Sequence, residues 1–209
     1  VIAGYLGMRT PANANIIGHV EGCYASGTVI GSPAGGLVGY AGTSYNGNDN
    51  YVRNSYSAVN VSTSGHGGGI VGVALTGSKI DHCYAAGKVT CSNDSNNASG
   101  IAGNCEGSSA LSDCISWNSA IYATHIYPVA SLQGESTATD CLVWNGIEGV
   151  GEIEGTMSKT QLQEKAALWG SPWYADATVA KGFPALEWQV NRGDVESVCG
   201  LVAIVDPEP

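Results

Sequence analysis

The sequence predicts an all-β protein: a right-handed parallel β-helix, or β-solenoid, of about five coils with a small helical C-terminal cap. Three observations predict it. Two short phrases recur along the chain with a period near 30 residues, the signature of a stacked repeat. Both phrases are rich in β-branched and aromatic residues and are separated by Gly and Asn, so they read as strands joined by turns. The composition agrees. Of 209 residues, 44% are hydrophobic, only 12% are charged and 30 are glycine, which describes a folded, turn-rich chain.

The first phrase is Gly22-Cys23-Tyr24-Ala25-Ser26-Gly27-Thr28-Val29. It returns at Asn54–Val61 and His82–Val89, and more weakly at Asp113–Trp117 and Asp140–Trp144. The second phrase is Gly36-Leu37-Val38-Gly39, repeated as Gly69-Ile70-Val71-Gly72 and Gly100-Ile101-Ala102-Gly103. Pro128-Val129-Ala130-Ser131 is a copy without its glycines, so an irregular coil is expected there. Val1-Ile2-Ala3-Gly4 fits the same phrase. The chain thus opens halfway through a repeat, as a piece of something longer would.

Strand alternation assigns faces. Taking Cys23, Ser55, Cys83, Cys114 and Cys141 as anchors, the position five residues on reads Thr28, Asn60, Lys88, Ser119 and Gly146 and should face outward. The anchors, the positions two on (Ala25, Ser57, Ala85, Ser116, Val143) and the positions six on (Val29, Val61, Val89, Ala120, Ile147) should face inward. Right-handedness follows from the general preference of parallel crossovers.

These phrases resemble the GLUG-motif repeat family, named for Gly-Leu-hydrophobic-Gly, over roughly residues 1 to 150. The resemblance implies accessory β-helical repeats of large bacterial surface or secreted proteins. It carries no catalytic residues with it.

The organisation expected is solenoid over 1–155, cap over 156–190 and an exit strand or linker over 191–209. Ser158 to Trp169 reads as an amphipathic helix with Thr160 and Gln163 as a capping box. The Gly182-Phe183-Pro184-Ala185-Leu186-Glu187-Trp188 segment follows. With Trp169 and Trp173 it is expected to cover the exposed last coil. Val198–Val205 reads as a strand, and Asp206-Pro207-Glu208-Pro209 as a linker toward a further domain. Arg192-Gly193-Asp194 is read as a turn.

Seven cysteines, at 23, 83, 91, 105, 114, 141 and 199, cannot all pair within one chain. Most read as small buried apolar residues, with a local Cys91–Cys105 disulfide as the alternative. None has zinc spacing, and the sequence asks for no metal or cofactor. A net charge of −10 argues against nucleic acid, and no apolar run approaches a membrane span.

The chain carries no nucleophile elbow, HExxH or P-loop. The expected function is therefore non-catalytic: an extracellular or cell-surface module for adhesion or spacing, with a glycan or a host or matrix protein as partner. Ligand contacts are expected from an outward aromatic stripe of Tyr24, Tyr56, Tyr84, Trp117 and Trp144, and from Tyr45 and Tyr51 at the 40–51 loop. Two structural readings compete for the stripe. The C-terminal tail lies over it, or a bulge reverses the parity and the rings are core. The alternative function is a carbohydrate-active β-helix enzyme. Asp113 and Asp140 share the position before the anchor, with His82 one coil earlier, and stacking would bring the carboxylates together.

Overall fold

A computed structural model describes residues 2–7, 17–42, 50–174 and 183–191. Tyr45, Cys199, the Arg192-Gly193-Asp194 turn, the Val198–Val205 strand and the 206–209 linker lie outside the described residues.

Each coil carries up to four short strands where the sequence pattern shows two. Ala3–Leu6, Val38–Ala41, Val71–Ala74, Ala102–Cys105 and Ala130–Leu132 stack into one parallel five-stranded sheet. Four full turns separate its first strand from its last, slightly fewer than the five coils expected. A second five-stranded sheet contains His19–Glu21, Asn50–Arg53, Ser78–Asp81, Ala110–Ser112 and Thr137–Thr139. The first phrase builds a seven-stranded sheet that includes Tyr24–Gly31 and Tyr56–Thr63. A fourth sheet joins Ala34–Gly35, Gly67–Gly68, Asn97–Ser99 and His125–Tyr127. All pairings in the coils are parallel, and equivalent phrase residues face one another, as in Tyr24↔Tyr56↔Tyr84↔Ile115↔Leu142.

The inward ladders fill the coil as alternation predicts. Leu37, Ile70 and Ile101 of the second phrase pack with Cys83, Ala85 and Cys114 of the first. Val61 and Val89 form a second interior cluster with Ile121. One assignment shifts. Val89 pairs with Ile121, not Ala120, because the fourth copy holds one extra residue. Asn118 accommodates it: buried, it takes the Ser116 hydroxyl proton at 2.9 Å and donates to the Gly87 carbonyl at 2.9 Å.

The glycine phrase exists because the backbones come too close for a side chain. A Cβ at Gly69 would overlap the Gly100 carbonyl oxygen and the Ala85 methyl group. A Cβ at Gly72 would sit 2.6 Å from the Gly39 oxygen, and one at Gly103 2.6 Å from the Gly72 oxygen. Ser131, which replaces the last glycine in the final copy, coincides with a slip. Ala102 still pairs with Ala130, but Cys105 pairs with Leu132. The irregular coil falls where the glycines are lost.

The cysteine anchor interchanges with serine for a hydrogen-bonding reason. Cys23, Cys83 and Cys114 each donate Sγ–H to the carbonyl two residues earlier at 3.1–3.2 Å, and Ser55 Oγ does the same to Arg53 at 2.7 Å. The six described cysteines, Cys91 and Cys105 included, are free thiols.

The C-terminal segment departs from expectation in two ways. Its helix, α1 (Lys159–Ala166), falls within the expected Ser158–Trp169 span and ends sooner. Ser158 is the N-cap, and Gln161 rather than Gln163 closes the capping box. The segment also lies along the flank of the solenoid rather than over its end. After α1, Trp173–Tyr174 and Ala185–Leu186 form an antiparallel pair leading into a short helix, α2 (Glu187–Asn191).

Candidate functional site

The aromatic stripe points out of the coil, as parity predicts, but it is not open to solvent. Tyr56, Tyr84 and Trp117 are 0%, 2% and 0% exposed, packed with Leu162, Ala166, Trp173, Phe183 and Leu186 of the C-terminal segment. The expectation that these three contact ligand is corrected: the chain's own tail lies over them. Parallel in-register pairing puts like rings one rung apart, so Tyr24 stacks on Tyr56 at 5.3 Å and Tyr56 on Tyr84 at 4.8 Å. Trp117 meets Tyr84 edge-on at 5.9 Å and Phe183 at 4.7 Å.

The phenol groups are used as well. Tyr84 donates to the Pro184 carbonyl at 2.9 Å, and the Gln189 amide donates to the Tyr56 oxygen at 2.8 Å. Burial pushes both phenols well above their ordinary range. At the two ends of the stripe the cover thins. Tyr24 and Trp144 are half-buried, and Trp188 reaches over Tyr24 to donate to the Gly22 carbonyl at 3.0 Å. Tyr51 stands on a different face. It stacks on His19 at 3.8 Å under the Arg53 guanidinium, which pairs with Glu21 at 2.9 Å and holds that carboxyl below its usual range.

The position before the anchor forms the second feature. Gly22, Asn54, His82, Asp113 and Asp140 all have φ between 47° and 60°. This is the left-handed region, which glycine, Asn, Asp and His tolerate best. Corner geometry therefore explains why the column is polar. Its later members also do something the earlier ones do not. His82, Asp113 and Asp140 line a cleft of about 330 Å³, closed on its other side by Lys165, Leu168 and Trp169. Trp169 meets the His82 ring edge-on at 5.7 Å. His82 Nδ1 lies 2.9 Å from Asp81 Oδ1, which also accepts the Ser112 hydroxyl at 2.7 Å.

The structure thus brings His82, Asp113 and Asp140 to one cleft and separates them from Tyr51. Asp81, Lys165 and Trp169 are the additions that sequence reasoning missed as site residues. Asp81 belongs to a sheet whose strands share no phrase. Lys165 and Trp169 reach the corner only through the docking of α1. Asp81, His82 and Asp113 also present one ligand atom each within 4.8 Å of one another.

Residues 63–90 match the family described as the GLUG motif. The chain is similar to a solved structure described as a candidate immunoglobulin A1 protease from Bacteroides ovatus, with 25% identity and a TM-score of 0.75. The match covers 88% of this chain and 62% of that one, so the chain spans less than two thirds of its neighbour's length. No curated protein matches the chain. Among the described residues, no helix is long and apolar enough to cross a membrane.

Proposed function

We propose that the chain is a non-catalytic β-solenoid module of a larger secreted or surface-displayed bacterial protein, serving adhesion to a glycan or a host protein. It is built as a solenoid over 1–155 with a lateral cover from 156–190. The observation that carries this reading is the cleft beside the sealed stripe. The solenoid has closed its large apolar flank with its own tail. What it leaves there is a half-buried Trp169, an exposed Leu168, two carboxylates, an imidazole and an ammonium. A flat indole that stacks on a sugar ring, with charged oxygens for its hydroxyls, is a recognition chemistry. On this reading Trp169 is the main ligand contact, with Tyr24 and Trp144 at the ends of the stripe and Tyr51 on the neighbouring face as secondary contacts.

The test is a glycan-array and matrix-protein screen of the chain beside Trp169→Ala. Selective binding that Trp169→Ala loses, at unchanged circular dichroism, supports adhesion through the cleft. Binding to nothing on either panel removes the adhesive reading and leaves a spacer.

One observation favours a second reading, an enzyme acting on polysaccharide: Asp113 and Asp140, from successive coils, line the same cleft. Paired carboxylates across a sugar are the apparatus of glycoside hydrolysis. Product release from a polysaccharide panel, abolished in Asp113→Asn, would establish it. The neighbour's description suggests a third activity, proteolysis of immunoglobulin A1. Among the described residues, no serine or cysteine hydrogen-bonds the His82 ring as a nucleophile paired with its base would.

A further inference from the structure

We propose that Asp81, His82 and Asp113 form a binding site for one divalent transition-metal ion. The inference stands apart from the adhesive reading, since it concerns three donor atoms and not the ligand of the cleft. The sequence shows no metal-ligand spacing because the donors come from two coils, and stacking is what joins them. His82 and Asp113 occupy the same left-handed corner in successive coils, with φ of 47° and 49°, and the His82 amide donates to the Ser112 carbonyl at 3.2 Å. That backbone bond fixes the spacing of the two side chains. Asp81 is held from the same coil by the Ser112 hydroxyl at 2.7 Å.

Donor atoms that share an ion at about 2.1 Å lie up to about 4.2 Å apart. The three candidate atoms already lie within 4.8 Å of one another, so rotamer adjustment closes the site without moving the coils. The backbone holds the three side chains side by side before the ion arrives, and an ion would replace the His82–Asp81 contact at 2.9 Å.

The donor set selects the class of ion. One imidazole and two carboxylates suit zinc, cobalt, nickel or manganese. Calcium asks for six to eight oxygens, more than this corner offers. Cys83 and Cys114 follow the site residues in sequence but pack into the solenoid core, so thiolates do not enter the set. Lys165 lines the same cleft from α1, but Asp113 and Asp140 together outweigh its charge. His82 and Asp113, though not Asp81, also line the cleft. It gives an ion an approach from solvent and leaves room for a coordinated water or ligand atom beyond the three protein donors.

The experiment is a Co²⁺ titration of the whole chain followed by visible absorbance, with Zn²⁺ as competitor. The variants are His82→Asn, Asp113→Asn and Asp140→Asn. Asparagine suits this corner, because Asn54 occupies it one coil earlier with φ of 48°. The expected result is one Co²⁺ per chain, displaced by Zn²⁺, with a spectrum free of thiolate charge transfer. His82→Asn and Asp113→Asn should each weaken binding at least tenfold at unchanged melting temperature, and Asp140→Asn less than threefold. Absence of saturable binding, a thiolate spectrum, or equal affinity in His82→Asn would each overturn the proposal.

Discussion

Tyr84 donates its phenolic proton to the carbonyl oxygen of Pro184 at 2.9 Å, across 100 residues of sequence, with both groups buried. That bond, and the Gln189–Tyr56 bond beside it, mark the aromatic ladder as the seat of the C-terminal segment. Tyr84→Phe keeps the ring and leaves the Pro184 carbonyl without its donor, a loss of about 1–3 kcal/mol. Tyr84→Ala also removes the stacking on Tyr56 and opens a cavity under Trp173, a loss of about 3–5 kcal/mol. Urea denaturation of the two variants measures both, and the order Ala worse than Phe worse than wild type is expected.

The glycine phrase makes a sharper prediction. Gly69→Ala drives a methyl group into the Gly100 carbonyl and the Ala85 side chain, neither of which can retreat without shifting a coil. The expected cost exceeds about 3 kcal/mol, the upper end for overpacking. Gly151→Ala, whose Cβ would meet nothing within 4 Å, changes stability by less than about 0.5 kcal/mol. Thermal unfolding of the pair separates close approach from glycine content as such.

Acid should weaken the fold through His66. Its Nδ1 accepts the Asn97 amide proton at 3.2 Å, so the ring must be unprotonated there. Burial holds its pKa below the ordinary histidine value, with a smaller opposing pull from Glu106. The unfolded chain, with a histidine pKa near 6.5, therefore binds the proton first. Stability is retained above about pH 6.5 and falls as the pH drops from there toward the lowered folded value. NMR titration of the His66 ring should give a depressed pKa. His66→Gln should flatten the stability profile between about pH 7 and pH 5.

Much of the solenoid was legible because stacking turns sequence period into ladders. The Leu37/Ile70/Ile101 column, the outward parity of the tyrosines and the disturbance at Ser131 all follow from two phrases. The Asn50–Arg53 and Ser78–Asp81 strands were not legible, since Val52 and Ile80 carry only an alternation that short polar segments also show. Nor was the extra residue at Asn118, which shifts the ladder from Ala120 to Ile121. The cover was legible only as one reading among several, because docking is decided by tertiary fit. The sequence holds an apolar stripe and a tail rich in Trp and Phe, and both an end cap and a lateral cover satisfy that pattern. The site shared the same limit. His82, Asp113 and Asp140 were visible as a column, while Asp81, Lys165 and Trp169 joined them only through folding.

The aromatic ladder is architecture, sealed by the tail, and not a ligand face. Hydroxyl-radical footprinting of the folded chain, read residue by residue by mass spectrometry, tests it most directly. Tyr5, 60% exposed, should be oxidised readily, while Tyr56, Tyr84 and Trp117 remain protected until the protein is denatured. Oxidation of Tyr56 and Tyr84 at the rate of Tyr5 in the native state would mean that the tail does not cover the ladder and that its rings face solvent.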